Sequence, residues 1–349
     1  MGSDKLAALG VEIVRDYRDI SVTGLSEVVA HLHHIRRAFD EVKAYIRTQR
    51  PDVVVLVDFP GFNMRIARFA HSLGIPVMYF IPPQVWAWKK GRLKKIKEHV
   101  NEVVCILPFE QELYRKEGVL STYIGHPFAH TVKPGLSRED FLKSIDVPAD
   151  RPILTIMPGS RQNEVARHIP VLSEIIKIIR SRRPGIAVLM PVAESIDEAK
   201  FAPFLKYLPD IIPIKGGAYN ALAYCDAAII ASGSATLEAA LLKAPTVIIY
   251  RISWFSYCIA RLLVNVPFIG LPNIIAGKEV FPEHVQRLEA ETIANTALSM
   301  IDKGRRHFAG ELGNIIGKLK VEDSYGLAAG AIISFLEKEQ GNESLPQTS

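Results

Sequence analysis

Asp58 stands at the end of an apolar run, where its residue type suggests chemistry. It follows the segment VVVLV and precedes Pro60 and Gly61. Open α/β sheets bind ligands at the carboxyl ends of their strands, so a carboxylate there can act as a general base, and partial desolvation would favour that role. Asp58 is therefore a candidate general base, and a structural acid, which is common at strand ends, is the alternative.

The segment MPGSRQNEV predicts an anion-binding turn. A strand ends at Met157, and Gly159, Ser160 and Arg161 connect it to a helix. Backbone N–H groups at the start of a helix attract anions, and a guanidinium group can contact two phosphate oxygens at once. A pyrophosphate would therefore suit this turn, although an ordinary turn with a solvated arginine has the same pattern.

A second turn of this kind occurs in CDAAIIASGSATLEAAL. Small residues allow a ligand to approach the backbone closely, and Glu238, one turn into the next helix, can accept hydrogen bonds from two ribose hydroxyls. The residues of the turn are Ser232, Gly233, Ser234, Ala235 and Thr236. A capped helix with an ordinary acid in its first turn is the alternative. We favour a nucleotide site because two such turns occur in the same half of the chain.

The basic and aromatic segment PPQVWAWKKGRLKKIK predicts a surface for an anionic partner. Tryptophans followed by lysines suit nucleic acid, lipid phosphate or a membrane interface, and a solvated helix face is the alternative. Residues 25–39 have apolar side chains at helical spacing, which predicts a helix that packs on a core or lies in a membrane interface. The predicted membrane or acceptor surface comprises Val28, Val29, Leu32, Trp86, Trp88, Lys89, Lys90 and Arg92.

Metal chemistry has little support in the sequence. His31, His33 and His34 lack nearby carboxylates or thiolates, the cysteines form no CxxC pair, and no aspartates stand in an Asp-x-Asp arrangement. We therefore predict no metal and no cofactor. The charge of a leaving group would then be stabilised by Arg161 and by helix ends.

Short apolar runs rich in β-branched residues alternate with amphipathic stretches, which predicts parallel strands covered by helices on both faces. The predicted strands are residues 53–57, 76–81, 102–107, 121–124, 153–157, 187–191, 211–214, 227–230 and 246–250. A chain of 349 residues is long for one core, and Pro, Gly and Ser interrupt the pattern at 129–138. The predicted fold is α/β, with two doubly wound, Rossmann-like lobes.

The net charge and the hydropathy of the chain indicate which class of partner and which location to expect. It has 42 Lys and Arg against 37 Asp and Glu, a net charge of +5, which favours anionic partners. The first residues do not have the pattern of a secretion signal, and no apolar run approaches the roughly 18 residues of a membrane span. We therefore expect a cytoplasmic protein.

Several segments, in this order, resemble the lipid-A-disaccharide synthase family, which are inverting glycosyltransferases of the two-lobed GT-B class. They are VDFPGFN, PPQVWAWKKGR, PFEQELY, GHP, MPGSRQNEV, SGSATLEAAL, VIIYR and LPNIIAGKEVFPEHVQ. The resemblance implies transfer of 2,3-diacylglucosamine from its UDP derivative to 2,3-diacylglucosamine 1-phosphate, giving the β-1,6-linked lipid A disaccharide 1-phosphate and UDP. It also implies a cleft between a first lobe, residues 1–132 plus about 320–349, and a UDP-sugar lobe, residues 138–319.

The resemblance also implies roles for individual residues. Asp58 matches the base that takes the proton from the acceptor 6-hydroxyl, and Arg161 matches the arginine near the donor pyrophosphate. The donor-binding residues that it implies are Gly159, Ser160, Ser232, Gly233, Ser234, Ala235, Thr236, Glu238, Tyr250, Arg251, Asn273 and Gln286. The expected location is peripheral, on the anionic inner face of the cytoplasmic membrane of a Gram-negative-type bacterium. No nucleic-acid partner is expected, and the oligomeric state is open.

The chain departs from the family pattern at its start. Family members begin with a strand and a Ser-Ala-Gly-Glu-x-Ser-Gly-Asp loop that this sequence lacks. Either the gene model is truncated or the chain is impaired, and we favour a misplaced start codon. Two other functions stay open. One is epimerisation of a UDP-sugar on the same fold, and the other is a non-catalytic protein that binds a sugar nucleotide or RNA.

Overall fold

The computed structural model describes residues 1–19, 32–86, 91–192, 203–208, 210–254, 257, 258, 261 and 266–343. Much of the predicted membrane surface lies outside these ranges. The residues concerned are Val28, Val29, Trp88, Lys89 and Lys90. Leu32 begins a helix, but its side chain is also outside the described part.

The chain forms two units. The first comprises Met1–Ile106, Glu110–Ile124 and Asp323–Ser349, and the second comprises Leu107–Phe109 and Gly125–Glu322. The division falls at Gly125, shortly before the segment 129–138. Gly125 has a φ of 74°, and a Cβ there would meet the backbone oxygen of Leu319 at 2.9 Å, so this close approach requires glycine.

Both units consist of parallel strands connected by helices. The strands are β1 Val54–Val57, β2 Val77–Phe80, β3 Glu102–Cys105, β4 Leu120–Tyr123, β5 Ile153–Met157, β6 Ala187–Val192, β7 Ile212–Lys215, β8 Ala227–Ala231, β9 Thr246–Tyr250 and β10 Glu283–Val285. The helices are α1 Asp4–Ala7, α2 Leu32–Gln49, α3 Pro60–Ser72, α4 Gly91–His99, α5 Pro108–Lys116, α6 Phe128–Thr131, α7 Arg138–Ser144, α8 Gln162–Arg182, α9 Ala218–Tyr224, α10 Ser234–Leu241, α11 Leu271–Ala276, α12 Ala290–Lys303, α13 Arg305–Leu319 and α14 Ser324–Glu343.

The first sheet has the strand order β1-β2-β3-β4 and is covered on both faces. Successive side chains of a strand lie on opposite faces of its sheet. Val77 and Tyr79 of β2 accordingly belong to one core with residues of α2 and α3, whereas Met78 packs with Val104 and with Phe335 of α14. The last helix of the chain therefore supplies part of the core of the first unit.

The second sheet has the order β10-β9-β8-β5-β6-β7, and every pairing is parallel. Leu154 and Ile156 of β5 share a core with α8 and α12, while Ile153 belongs to a second core with α9 and α10. Helices therefore cover both faces of this sheet too. The predicted α/β fold with two doubly wound sheets is confirmed.

Each predicted strand has a counterpart in the structure, but β10 was not predicted. It has three residues, EHV, of which two are polar, and it forms an edge of the second sheet. No helix in the described ranges combines the length and the apolar character that crossing a bilayer requires.

Candidate active site

Asp58 directly follows β1, at the carboxyl edge of the first sheet. Its φ is 45° and that of Phe59 is 43°, so two successive residues with side chains occupy the left-handed region, at a cost of about 1–3 kcal/mol each. The Asp58 N–H donates to the Phe80 oxygen at 3.0 Å. Its carbonyl oxygen accepts from the Tyr79 hydroxyl and from the Asn63 side-chain amide, both at 2.8 Å. These bonds hold the strained backbone in place.

The side chain of Asp58 is exposed, so the predicted partial desolvation was wrong. The reason is its position on an edge strand. Among the described strands β1 pairs with β2 alone, and Val57, the last residue of β1, is itself 53% exposed. Asp58 stays a candidate base because of its place at the sheet edge and its fixed backbone, not because of burial.

The first predicted anion-binding turn connects β5 to α8. Gly159 has a φ of 132°, and a Cβ there would lie 2.7 Å from the Glu164 carboxylate, so this position requires glycine. Glu164 accepts from the Ser160 N–H at 3.2 Å and from Arg161 Nη1 at 3.1 Å. The Arg161 side chain is 61% exposed, which leaves its guanidinium open to a ligand. Sequence reasoning did not single out Glu164.

A buried histidine connects this turn to the end of β9. His168 Nδ1 lies 2.7 Å from the Pro158 oxygen, and Nε2 lies 3.0 Å from the Arg251 nitrogen. Since the Arg251 N–H must donate to Nε2, the proton of the ring is on Nδ1, where it bonds to Pro158. Burial lowers the pKa of His168, which favours this neutral form. Sequence reasoning missed His168 because it lies on the apolar face of α8 among Val165 and Ile169.

The second predicted turn, between β8 and α10, is held by its own hydroxyl groups. Ser232 Oγ donates to the Ile269 oxygen at 3.0 Å, and Thr236 Oγ1 donates to the Gly233 oxygen at 2.8 Å. Thr236 is fully buried. These two side chains shape the turn, whereas their neighbours Ser234 and Ala235 line a cavity.

One open cavity of about 860 Å³ joins the two turns within the second unit. From the predicted donor-binding residues its lining includes Ser160 of the first turn and Ser234, Ala235 and Glu238 of the second. Further lining residues are Gly216 and Gly217 of the loop before α9, and Ala218 and Tyr219 of its first turn. The structure therefore brings the two sequence patterns to one site, as the hypothesis of a nucleotide site requires.

Tyr219 contacts Glu238 inside this cavity. The Tyr219 hydroxyl donates to Glu238 Oε1 at 3.3 Å. Burial raises the pKa of Glu238, and the hydrogen bond from Tyr219 opposes that change. Burial also raises the pKa of Tyr219, with a smaller contribution from the Glu238 charge. Tyr219 was not among the predicted residues, since its role depends on a contact between α9 and α10.

The other predicted donor-binding residues have different surroundings. Tyr250 is half-buried at the end of β9, and burial raises its pKa; Arg251 is exposed. The side-chain amide of Gln286 accepts a hydrogen bond from the Ile252 N–H at 3.2 Å and donates one to the Ile252 oxygen at 2.9 Å. None of these contacts tests a role in donor binding, so for Tyr250, Arg251 and Gln286 that role stays a prediction.

Asn273 is unavailable to a ligand. It is fully buried, and its Nδ2 donates to the Phe281 oxygen and to Glu283 Oε1, both at 2.7 Å. Its Oδ1 accepts from the N–H groups of Val280 and Phe281 at 2.8 and 2.9 Å. Asn273 therefore stabilises the loop after α11, and we leave it out of the donor site.

The described part of the predicted membrane surface is anchored in the first unit. Trp86 is half-buried, and its Nε1 donates to Glu110 Oε1 at 3.0 Å. Glu110 is only 2% exposed. Arg92, in α4, is also half-buried. Among the described residues, no group of three or more His, Cys, Asp and Glu side chains is arranged to hold a metal ion.

Two parallel sheets covered by helices on both faces, in two Rossmann-like units, are the fold of the GT-B class. Solved structures of that class have the same fold at low identity. A UDP-GlcNAc 2-epimerase of Neisseria meningitidis bound to UDP-GlcNAc matches with a TM-score of 0.59 at 13% identity, covering 95% of this chain and 87% of that one. UGT73P12 of Glycyrrhiza uralensis, complexed with glycyrrhetinic acid 3-O-monoglucuronide, matches at 0.55 and 14%, covering 91% and 79%.

Sequence comparison gives the family. The family model described as lipid-A-disaccharide synthetase matches residues 1–312. A lipid-A-disaccharide synthase of Solibacter usitatus is 38% identical over 338 residues, covering 97% of this chain and 88% of the relative. One of Geobacter metallireducens is 40% identical over 296 residues, covering 84% and 77%. The chain belongs to the lipid-A-disaccharide synthase family, whose members are glycosyltransferases of lipid A biosynthesis, as the sequence motifs predicted.

Proposed function

We propose that this protein transfers 2,3-diacylglucosamine from its UDP derivative to 2,3-diacylglucosamine 1-phosphate. The products are the β-1,6-linked lipid A disaccharide 1-phosphate and UDP. The observation that carries this proposal is the 38% identity to a lipid-A-disaccharide synthase over 97% of the chain. The cavity between the two turns of the second unit supports it, because a UDP-sugar needs an anion site close to a ribose site.

The donor is assigned to the second unit. Its diphosphate lies at the turn before α8, where Arg161 contacts the phosphate oxygens and Glu164 orients the guanidinium from 3.1 Å. Glu238 accepts hydrogen bonds from the ribose hydroxyls. His168 connects the turn to the end of β9 through its two ring nitrogens, so it positions the site without touching the ligand.

The chemical step is a displacement at the anomeric carbon of the donor sugar. The 6-hydroxyl oxygen of the acceptor forms the new bond to this carbon while its proton passes to the Asp58 carboxylate. The bond from the same carbon to the diphosphate oxygen breaks, and its electron pair leaves with UDP. Arg161 and the N-terminal end of α8 stabilise the charge that develops on the leaving group.

Both proposed substrates carry acyl chains, which favours a protein that works at a membrane surface. We therefore assign the protein to the inner face of the cytoplasmic membrane, as a peripheral protein that works on anionic lipid. The net charge of +5 favours such a surface. The contact surface predicted from Trp86, Arg92 and the neighbouring lysines belongs to this assignment.

Incubation of the purified protein with both acylated sugars tests the proposal. We expect mass spectrometry to detect the disaccharide 1-phosphate, with one UDP formed for each disaccharide and no UDP when the acceptor is omitted. An isomerised UDP-sugar without disaccharide would instead support an epimerase, the second candidate, which the fold of the Neisseria enzyme suggests. Binding of a UDP-sugar or RNA without any product would contradict both enzymatic functions.

A further inference from the structure

A groove of about 880 Å³ lies on the first unit, among the helices α2, α3 and α4. It is lined by cationic side chains from all three helices. They are Lys43 of α2, Arg65 and Arg68 of α3, and Lys95 of α4. Lys95 belongs to the basic segment already predicted to meet an anionic partner, whereas the cations of α2 and α3 belong neither to that segment nor to the predicted donor site.

These four cations lack acidic partners. In the described part of the chain no carboxylate lies within ion-pair distance of any of them. Cations outside the groove form ion pairs, as Arg37 does with Glu41 on α2 and Lys116 with Glu112 on α5. Four unpaired cations in one groove repel each other, and a bound anion would relieve that repulsion.

The floor of the groove is apolar and aromatic. Phe39, Met64 and Phe69 line it, and Lys43 Nζ lies 4.6 Å from the centroid of the Phe69 ring and 5.3 Å from that of Phe39. A cation held over aromatic faces is stabilised where it can meet an anion at the rim. A small inorganic anion would leave the floor uncovered, whereas an amphiphile would cover it.

A histidine in the wall has an unused polar atom. His99 Nδ1 is buried without a hydrogen-bond partner, and Nε2 lies 3.9 Å from Glu98, which is the acidic lining residue. Buried polar atoms are normally hydrogen-bonded. Since this atom is closed to solvent, no contact with the ligand is assigned to His99.

The groove is separate from the proposed catalytic edge. α3 begins two residues after Asp58, at the carboxyl edge of the sheet, and then returns to the start of β2. Arg68 and Phe69 are in the second half of α3, and His99 is the last residue of α4, which leads to the start of β3. The groove therefore lies toward the amino ends of the strands, whereas Asp58 lies at their carboxyl ends.

We propose that this groove binds the headgroup phosphate of an anionic glycerophospholipid at a bilayer surface. Arg65 and Arg68 of α3, which lie one turn apart, contact the phosphate oxygens. The acyl side of the lipid covers the aromatic floor of the groove. This function needs no catalysis and can be tested independently of the transferase reaction. It extends the basic surface of the segment after Trp86, which supplies Lys95, to the cations of α2 and α3.

The test compares binding of the full chain to vesicles of phosphatidylcholine alone and to vesicles of equal parts phosphatidylcholine and phosphatidylglycerol. We expect Arg65→Gln with Arg68→Gln to lower the partition onto anionic vesicles roughly thirtyfold, at about 1 kcal/mol for each cation and about 1.4 kcal/mol for each factor of ten. Arg65→Lys with Arg68→Lys should keep most of the binding. Both arginines are exposed, so the variants should fold, and circular dichroism checks this.

The matched control is Arg115→Gln with Lys116→Gln, which removes the same charge from exposed positions of α5 outside the groove. An equal loss in this control would overturn the proposal, because general attraction would then explain the binding. Binding to phosphatidylcholine alone that does not respond to the arginine substitutions would overturn it too. Calorimetric titration with inorganic phosphate and with glycerol 1-phosphate forms the last arm. Saturable binding of either to the groove, with no gain on anionic vesicles, would identify a soluble phosphate ligand instead.

Discussion

At the level of single residues, the proposed role of Asp58 as a base requires that its backbone is held in one conformation. Asp58 and Phe59 both have left-handed φ angles, and strain of this kind persists only where the surroundings enforce it. The buried Tyr79 supplies one of these constraints through its hydroxyl, which donates to the Asp58 oxygen at 2.8 Å. Tyr79 is therefore a positioning residue for the proposed base.

We predict that Tyr79→Phe lowers kcat about tenfold and changes KM little, because about 1.4 kcal/mol of positioning is lost while substrate contacts remain. The variant should also lose about 1 kcal/mol of unfolding free energy, measured with urea, for the missing hydrogen bond. Tyr114→Phe is the matched control, since Tyr114 is buried in the same core and its hydroxyl donates to the Pro83 oxygen at 3.0 Å. Equal losses of kcat in the two variants would show that Tyr79 has no special relation to Asp58.

The site residues that the sequence predicts and those that it does not predict differ in how far apart in the chain their contacts are. Arg161 and Glu238 were predicted because the strand, turn and helix that position them are contiguous in the chain. Tyr79 and His168 were missed because their partners are 21 and 83 residues away, at Asp58 and Arg251. Such contacts exist only after the sheets have formed, so no local pattern reports them.

At the level of helices and strands, a side chain in the second unit joins the carboxyl ends of two strands, β5 and β9. β5 and β9 are not neighbours in the sheet, since β8 lies between them. His168 of α8 bridges their carboxyl ends, with one ring nitrogen at Pro158 and the other at Arg251. The strands themselves were predictable from apolar β-branched runs, whereas β10 was not, because an edge strand of three residues buries too little apolar surface to leave a pattern.

This bridge predicts a pH dependence of stability. Burial lowers the pKa of His168 in the folded state; the Pro158 hydrogen bond and the Glu164 charge oppose this, and Arg167 and Arg251 reinforce it. Below about pH 6.5 the unfolded chain therefore binds a proton at this histidine that the folded chain does not bind. The contribution of His168 to the free energy of unfolding is present above that pH and is lost as the pH falls. We expect His168→Gln to be less stable than the wild type at pH 7.5 and to lose less stability between pH 7.5 and pH 5.5.

Urea unfolding of both proteins at the two pH values measures this difference. Burial also lowers the pKa of His284, and that of His126 to about 4, so the variant should retain part of the dependence. Parallel losses in wild type and variant would mean that His168 makes no contribution to it.

At the scale of the whole molecule, the end of the chain completes the unit that contains its beginning. Phe335 of α14 is 3% exposed and packs with Met78, Val104 and Ile124 on one face of the first sheet. The sequence after residue 295 could be predicted as mostly helical, but the docking of α14 on the first sheet was suggested only by the family resemblance. A helix with apolar residues does not by itself specify which sheet it covers.

We predict that Phe335→Ala lowers the unfolding free energy by about 3–5 kcal/mol, the usual cost of emptying a buried phenylalanine site. Ile333→Ala on the same helix is the control and should cost less than about 1 kcal/mol, because Ile333 is 56% exposed. Urea denaturation followed by circular dichroism measures both. A small loss for Phe335→Ala, similar to that of the control, would contradict the docking of α14 described above.

The central claim is that Asp58 is the base of a glycosyl transfer, and the rate of acceptor-dependent UDP release tests it most directly. Asp58→Asn keeps the shape of the side chain but cannot accept the proton, so we predict that this rate falls by at least about a hundredfold. Asp52→Asn, an exposed acid before the start of β1, is the matched control and should leave the rate unchanged. A rate for Asp58→Asn equal to that of the control and the wild type would contradict the account.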